Sequence, residues 1–480
     1  MKKILLFLFI LTLSCATTNT GIKQNETKSN KKEEPVAESA ISLINPEMYT
    51  GTWEGKITVG AIQLRMVFHI KLEGGKLTGE ADSPDQGAYG MPVSDIILGE
   101  GKKITLEMQS LAGKYEGELE SDELMKGNWL QGGQSFPLDL TKLAAPVDYS
   151  RPQDPKEPYP YQAEDVTFKN PSAGISLAGT LTYPKTDKPV TAVILITGSG
   201  SQNRNEEIMG HRPFLVLADY LTRQGIAVLR YDDRGVGGSG GNPATATSAD
   251  FATDVEAAIT FLQNQKSVKI AKIGLIGHSE GGMIAPLVDS RTPDVNFIVM
   301  MAGPGCTGAE ILRQQNQAIM QAMGMNQQDI NLTLERNSEI YNLLINAADP
   351  ADVKSEIEQR LISYGMDPKQ ASGQAAVLTS PWYVYFLKFD PVPVLKKIKI
   401  PVLAINGSLD LQVLAKENLA AIDKALKEGG NTHYTIKEFP GLNHLFQTAK
   451  TGLMEEYSTI QETIAPAVLE YIGTWIKGLK

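Results

Sequence analysis

Lys272-Ile273-Gly274-Leu275-Ile276-Gly277-His278-Ser279-Glu280-Gly281-Gly282 is a short apolar run that closes on the pattern G-x-S-x-G. Its first half has the texture of a buried parallel strand. Beyond the serine, Gly282-Met283-Ile284-Ala285-Pro286-Leu287-Val288 can carry a helix, with a kink expected at Pro286. A serine on so sharp a strand-to-helix turn takes a strained backbone, and side chains two positions to either side would collide with the flanking strand and helix. Glycine is therefore required there. In a chain with 44 glycines the pattern also arises by accident, and Gly237-Gly238-Ser239-Gly240-Gly241 matches it equally well. Ser239 follows a strand but runs into Gly241-Asn242-Pro243, where no helix can start. Ser279 is the candidate nucleophile and Ser239 a loop serine.

A nucleophilic serine needs a base for its proton and a carboxylate to orient that base. The chain has only 5 histidines. His69 lies in a separate N-terminal segment, His211 precedes the serine, and His278 is expected to point away from its neighbour Ser279. His433 stands at the start of the strand-like Tyr434-Thr435-Ile436-Lys437-Glu438-Phe439, whereas sites of open parallel sheets form at the C-terminal ends of strands. His444 follows that strand and is the candidate base. By the same rule Asp410, in the loop Asn406-Gly407-Ser408-Leu409-Asp410 after Pro401-Val402-Leu403-Ala404-Ile405, is the candidate acid, with Asp390 as its rival. An aspartate in such a loop is often a plain turn residue. Serine, acid and histidine falling at successive strand ends in that order makes a plain turn the poorer reading.

Ile196-Thr197-Gly198-Ser199-Gly200, Tyr231-Asp232-Asp233-Arg234-Gly235-Val236-Gly237, the Ser279 turn, Gly407 to Asp410 and Gly441-Leu442-Asn443-His444 together resemble the α/β-hydrolase superfamily. Within it the chain is similar to bacterial carboxylesterases related to serine aminopeptidases and prolyl-oligopeptidase-type enzymes, over about residues 165–480. The resemblance implies Ser279, Asp410 and His444 as a triad, and the backbone N–H groups of Ser199 and Glu280 as an oxyanion hole. Relatives often carry His-Gly where this chain has Thr197-Gly198, a departure on the oxyanion loop itself.

Buried-strand runs at Ala192–Ile196, Ile226–Tyr231, Ile273–Ile276, Phe297–Met301, Val402–Ile405 and Tyr434–Phe439 alternate with helical patterns. Pro213 to Arg223 opens on proline and stops before Gly225. Ser248 is placed to cap a helix whose apolar face is Phe251, Val255, Ile259 and Leu262. The alternation predicts a mostly parallel sheet covered on both faces, the α/β class. A polar, helix-like insertion over about 305–389 is expected to form a cap that excludes water from an acyl site. It ends in Pro381-Trp382-Tyr383-Val384-Tyr385-Phe386, whose rings serve as packing core or, in one or two cases, as pocket wall.

Over 45–145 the texture changes to short alternating strands with glycine turns, about eight of them by the spacing rule for all-β modules, so a small antiparallel barrel or sandwich is expected. This module shows no catalytic set in the sequence. Pro146, Pro152, Pro155, Pro158 and Pro160 mark 146–164 as a stiff linker. At the N-terminus, Met1-Lys2-Lys3, an apolar Ile4–Leu13 and Leu13-Ser14-Cys15 resemble a bacterial lipoprotein signal, with 1–15 as a signal segment ending at Cys15, which is lipidated and becomes the first residue, and 16–44 as a solvated tether. Plain secretion is the alternative. The expected address is the cell envelope, with the membrane reached through the lipid.

A net charge of −10 and the lack of a basic run exclude a nucleic-acid groove. No His/Cys/Asp cluster has metal-ligand spacing, so neither metal nor other cofactor is implied. The resulting expectation is a serine carboxylesterase acting on small or medium acyl esters. An aminopeptidase or dipeptidyl-peptidase-like enzyme is the second reading, with Glu206-Glu207 as the anion for a substrate amine. A non-catalytic binding lipoprotein that works through the β module is the third.

Overall fold

The computed structural model describes residues 45–59, 62–84, 88–131, 134–145 and 151–479. The expected signal segment, tether and Cys15 lie outside these residues. The chain forms two compact units, one holding residues 45–145 and one made of Arg151–Glu207 and His211–Lys480. Among the described residues no helix is long and apolar enough to cross a membrane.

The first unit is one antiparallel sheet of ten described strands: β1 (Gly51–Val59), β2 (Ile62–Glu73), β3 (Lys76–Ser83), β4 (Ala88–Pro92), β5 (Asp95–Leu98), β6 (Lys103–Met108), β7 (Gly113–Ser121), β8 (Leu124–Gln131), β9 (Gln134–Pro137) and β10 (Leu140–Leu143). The order is β4-β3-β2-β1-β10-β8-β7-β6-β5, with β9 on β8. Three of the ten, β5, β9 and β10, are only 4 residues long, too short for an alternating pattern to announce them. Val93 N–H donates to Gly79 O of β3 at 2.9 Å, which carries the β3–β4 ladder on to the start of β5. Alternate residues point inward, so Trp53, Met66, Phe68, Ile70, Tyr115, Met125 and Trp129 from strands around the sheet share one core.

The second unit opens with an antiparallel pair that the sequence pattern did not separate from its linker, β11 (Gln162–Asn170) and β12 (Ile175–Tyr183). Then follow β13 (Val190–Ile196), α1 (Pro213–Arg223), β14 (Ala227–Tyr231), α2 (Ser248–Gln263), β15 (Ile270–His278), α3 (Gly281–Asp289) and β16 (Phe297–Met301). The insertion supplies α4 (Gly308–Ala322), α5 (Gln327–Asn346), α6 (Lys354–Ser363), α7 (Pro368–Leu378) and α8 (Pro381–Lys388). The chain then returns through α9 (Val392–Leu395), β17 (Val402–Gly407), α10 (Ala415–Glu428), β18 (Tyr434–Phe439) and α11 (Pro466–Gly478).

The sheet order is β11-β12-β14-β13-β15-β16-β17-β18, parallel from β14 to β18. Successive residues of β13 feed opposite cores. Ala192, Ile194 and Ile196 pack with α2, α3 and α10, whereas Val193 and Leu195 pack with α1 and α11. This is the α/β-hydrolase fold, and its doubly covered strands explain the unbroken apolar runs.

Two local expectations need correction. The stretch from Arg151 to Tyr161, expected as part of a stiff linker, is docked on the second unit. Arg151 donates to Ser458 O at 3.0 Å and Ile460 O at 3.2 Å, Gln153 Nε2 donates to Ile464 O at 2.8 Å, and Tyr161 OH donates to Asp219 at 2.8 Å. Strand β11 then begins at Gln162, inside the range read as linker. Nor does Ser248 cap α2. Thr247 holds the N-cap, with its N–H donating to Asp250 Oδ2 at 2.8 Å, and the Ser248 hydroxyl is used elsewhere. Pro286 lies within α3, which runs on to Asp289.

Candidate active site

Ser279 stands on the turn between β15 and α3 in left-handed backbone, φ 53°. Its N–H donates to Met301 O at 2.8 Å, which ties the turn to the end of the neighbouring strand. The turn admits no side chains beside it: a Cβ on Gly277 would lie 2.0 Å from Gly281 O, and one on Gly281 would lie 2.1 Å from Ile196 O. Strain of this kind costs of order 1–3 kcal/mol and persists only where its surroundings impose it.

The loops after β17 and β18 are stitched together. Ser408 N–H donates to Phe439 O at 2.9 Å, Leu409 N–H to Leu442 O at 2.9 Å, and Gly441 N–H to Ser408 Oγ at 2.8 Å. These bonds bring His444 Nδ1 to 2.8 Å from Asp410 Oδ2, both residues being buried. The other oxygen, Asp410 Oδ1, accepts N–H groups of Gln412 at 2.8 Å and Val413 at 2.9 Å. A carboxylate so held fixes the histidine tautomer with Nδ1–H toward the acid and Nε2 available as acceptor. Asn443 braces the base loop by accepting N–H groups of Leu445 and Gln447 at 3.0 and 2.9 Å. Among the described residues Ser279 Oγ makes no hydrogen bond to His444; such bonds often tighten only with substrate bound. Asp390, the rival acid, is exposed and accepts the Val392 N–H at 3.0 Å at the start of α9.

Ser199 and Glu280 flank the turn. Among the described residues neither of their backbone N–H groups has a hydrogen-bond partner, so both donors are available to a ligand oxygen. The loop carrying Ser199 is anchored from below by Asp233, which accepts from Thr197 Oγ1 at 2.8 Å and from Gln202 N–H at 2.9 Å. Burial pushes the Asp233 carboxyl well above its ordinary value. The next anchor is Asp232, gripped by Arg204 through Nε at 3.0 Å and a terminal nitrogen at 2.8 Å. Burial opposes ionisation of Asp232, but the Arg204 contacts outweigh it and hold the carboxyl below its usual range. Ser239 belongs to this scaffold, donating to Asp232 O at 2.7 Å and accepting from Ala178 N–H at 2.9 Å.

The Glu280 side chain is buried and its Oε1 accepts from Ser248 Oγ at 2.6 Å and Trp382 Nε1 at 2.9 Å. Burial raises its pKa, opposed by these bonds and one from the Ser199 side chain. Trp382 thereby links the inserted helices to the serine turn, and it stacks on Phe386 at 5.6 Å. Met283, Ile311, Phe386 and Val413 form a small apolar cluster with it. An open cleft of about 470 Å³ runs along α8, lined by Thr247, Pro350, Pro381, Val384, Tyr385, Lys388, Phe389 and Asp390.

Sequence reasoning missed three arrangements. His278 does not idle: its ring is buried between Glu206 and the His444 backbone. Glu206 and Glu207, read as an amine-binding pair, already take protein hydrogen bonds, Glu206 through Oε1 alone, its Oε2 being buried with no partner among the described residues. Glu206 is 3% exposed and accepts from Gly198 N–H and His278, while Glu207 accepts from Arg212 Nε at 3.1 Å and Asn203 at 2.9 Å. In the first unit, read as having no catalytic set, Thr52, His69 and Asp82 meet: His69 Nε2 is 2.6 Å from Asp82 Oδ2, and its Nδ1 is 3.3 Å from Thr52 Oγ1. A sequence signal exists only for His278, which occupies the x before the serine. Among the described residues no group of three His, Cys, Asp or Glu could hold a metal ion.

Comparison with known proteins gives a family model, described as serine aminopeptidase S33, that matches residues 211–448. Esterase EstD of Thermotoga maritima is 27% identical over 307 residues, covering 63% of this chain and 64% of EstD, so the chain spans less than two thirds of that relative. The uncharacterized protein PA2218 of Pseudomonas aeruginosa is 26% identical over 305 residues, 58% of this chain and 73% of the other. Among solved structures, the Pyrococcus furiosus esterase Pf2001 overlays with a TM-score of 0.40 at 16% identity, covering 66% of this chain and 91% of that one.

Proposed function

We propose that this chain, a member of the α/β-hydrolase superfamily with esterase- and aminopeptidase-like relatives, is a serine hydrolase that cleaves carboxylic esters. The observation that carries the proposal is the Asp410–His444 bond of 2.8 Å at the strand ends beside a serine strained to φ 53°. In this reading Ser279 Oγ attacks the ester carbonyl and gives its proton to His444 Nε2, while Asp410 holds Nδ1–H and stabilises the imidazolium. The N–H groups of Ser199 and Glu280 receive the oxyanion. His444 then protonates the leaving alcohol, and water repeats the sequence to release the acid. The apolar cluster around Trp382 and Phe386, joined to the serine turn through the Trp382–Glu280 bond, supports an acyl group without charge, and small or medium chains are the proposed substrates.

A peptidase that selects a free N-terminus is the weaker reading, although the family model bears an aminopeptidase name. Such an enzyme needs an uncommitted carboxylate for the amine. Glu206, Glu207 and Glu280 each already accept hydrogen bonds from protein donors. A binding lipoprotein acting through the β unit leaves the strained serine without a role. Comparing p-nitrophenyl esters of increasing acyl length with aminoacyl-nitroanilides on the purified protein separates these readings. Ester turnover that is lost in Ser279→Ala supports the proposal, and nitroanilide turnover that exceeds it overturns the ester assignment.

We also propose that Cys15 is lipid-modified and holds the protein at the bacterial cell envelope, a reading supported by Lys2, Lys3 and the apolar Ile4–Leu13 before Leu13-Ser14-Cys15. Cys15→Ala should move the protein from the detergent to the aqueous phase on partitioning. Unchanged partitioning would remove the anchor.

A further inference from the structure

Glu206 and His278 have no part in the reaction steps above, yet both are buried at their centre. His278 is 6% exposed and Glu206 3%. Glu206 is in left-handed backbone at φ 52°, as Ser279 is at 53°. A buried charged residue held in such a conformation points to a purpose in its contacts.

His278 Nδ1 lies 2.9 Å from Glu206 Oε1, and Nε2 lies 3.0 Å from the backbone carbonyl of His444. A carbonyl oxygen only accepts, and so does an ionised carboxylate. With Glu206 ionised, each ring nitrogen faces an acceptor, an arrangement that a ring protonated on both nitrogens satisfies. The same Glu206 Oε1 accepts the Gly198 N–H at 2.8 Å, one residue before the oxyanion donor Ser199. Gly198 in turn abuts the nucleophile, since a Cβ there would lie 3.2 Å from Ser279 Cβ. The two imidazoles sit 4.8 Å apart between ring centres.

Resting on the assignment of Ser279, His444 and Asp410 as the reacting groups, we propose that Glu206 and His278 are a buried ion pair that positions the oxyanion loop and the catalytic base against each other. One end of the pair holds Gly198, and the other holds the backbone that carries the base. Burial alone would push the His278 imidazole down, but the Glu206 charge and hydrogen bond, with the His444 carbonyl, outweigh it and hold it above its ordinary value. The other titratable or charged groups facing the pair are His444 itself, Asp410 beyond it and Asp233 beneath the oxyanion loop. Both members act through other residues, so they are positioning residues.

The two members should fail differently. His278→Asn keeps an amide donor near Glu206 but cannot reach the His444 carbonyl, and it leaves an uncompensated carboxylate near the base. Added negative charge at the site disfavours loss of a proton there, so the acid limb of kcat/KM moves to higher pH. Glu206→Gln removes the negative charge and lets the ring go neutral, so the net charge of the pair is unchanged and the limb stays in place.

On full-length protein with p-nitrophenyl acetate, His278→Asn should lower kcat about 10- to 100-fold with KM within about threefold, as misplacement of reacting groups does. Its acid limb should move up by about half a unit or more. Glu206→Gln should lower kcat without moving the limb. A folded His278→Asn with wild-type kcat and an unmoved limb overturns the pair's role. Nitrogen NMR of histidine-labelled wild-type protein gives a second test that needs no variant to fold. One of the five rings should stay protonated on both nitrogens at pH 8, and finding all five neutral overturns the proposal. Ser279→Ala separates the levels: its inactivity beside a normal His278→Asn defeats only the ion pair, whereas its activity defeats the reaction assignment and the pair's role together.

Discussion

Two histidine–aspartate pairs of similar length occur among the described residues, His444–Asp410 at 2.8 Å in the second unit and His69–Asp82 at 2.6 Å in the first. Each has a hydroxyl residue within its own unit, Ser279 in one and Thr52 in the other. What separates them is the backbone under the hydroxyl. Thr52 lies in regular strand, paired directly across from His69 in the β1–β2 ladder, so its neighbouring N–H groups are used by the sheet. Ser279 is lifted out of the sheet at φ 53°, with the free N–H of Glu280 beside it. A histidine–carboxylate bond is common stabilising hardware. A reactive site needs in addition a hydroxyl on strained backbone and donors with nothing else to bind.

The strongest test of that contrast removes each hydroxyl. Ser279→Ala should lose about 10⁴–10⁶ in kcat on a p-nitrophenyl ester while folding normally by circular dichroism. Thr52→Val should keep turnover within about twofold, because the strand around Thr52 is paired on both sides and its N–H groups serve the sheet. Loss of turnover in Thr52→Val would erase the distinction.

Removing each acid sharpens it. Asp410→Asn should lower kcat about 10³- to 10⁴-fold by presenting the wrong tautomer of His444. Asp82→Asn should leave kcat alone and destabilise the first unit by about 1–3 kcal/mol, since Asp82 also accepts the Gly90 N–H at 2.7 Å. Urea unfolding alongside kinetics reads both effects, and a purely catalytic loss in Asp82→Asn would contradict the structural role.

A third histidine shows what happens without a carboxylate. His211 is fully buried, donates Nε2–H to Tyr457 O at 2.8 Å and meets Thr463 Oγ1 at 3.0 Å through Nδ1. Burial pushes it down to about 4 from an ordinary 6.5. Because the folded-state value is depressed, the unfolded chain takes up the proton first as pH falls. Stability of the second unit is therefore full above pH 6.5 and should drop by about 3 kcal/mol on the way to pH 4. His211→Gln should flatten that part of the profile, and an unchanged slope would assign it to other groups.

The smallest expected effect tests whether the first unit takes part in chemistry. A chain starting at Arg151, which preserves the Arg151 and Gln153 contacts to Ser458–Ile464, should keep kcat on a small soluble ester within about tenfold. A folded product with abolished turnover would make the β unit a component of the site.

Much of this was legible in sequence because local rules govern it. The serine turn announces itself since only glycine fits beside it, and buried parallel strands read as unbroken apolar runs. The order of serine, acid and histidine at strand ends follows from the sheet's direction. The position of the insertion after β16 was equally plain, for a long polar helical stretch cannot belong to the alternation.

Other features came only with the tertiary structure. The hairpin of β11 and β12 was hidden because its outer strand alternates weakly beside a proline-rich stretch that docks rather than spans. Ser248 reads as a cap until its hydroxyl is found on Glu280, and Glu206 reads as a free anion until His278 and Gly198 are found on it. Such choices depend on which distant groups share a dry space. A buried charge must be paired, but sequence gives the charge without the partner. The backbone periodicities that specify strands and helices are short-range, whereas the hydrogen bonds of His278 beside Ser279 are settled by contacts with segments 72 and 166 residues away.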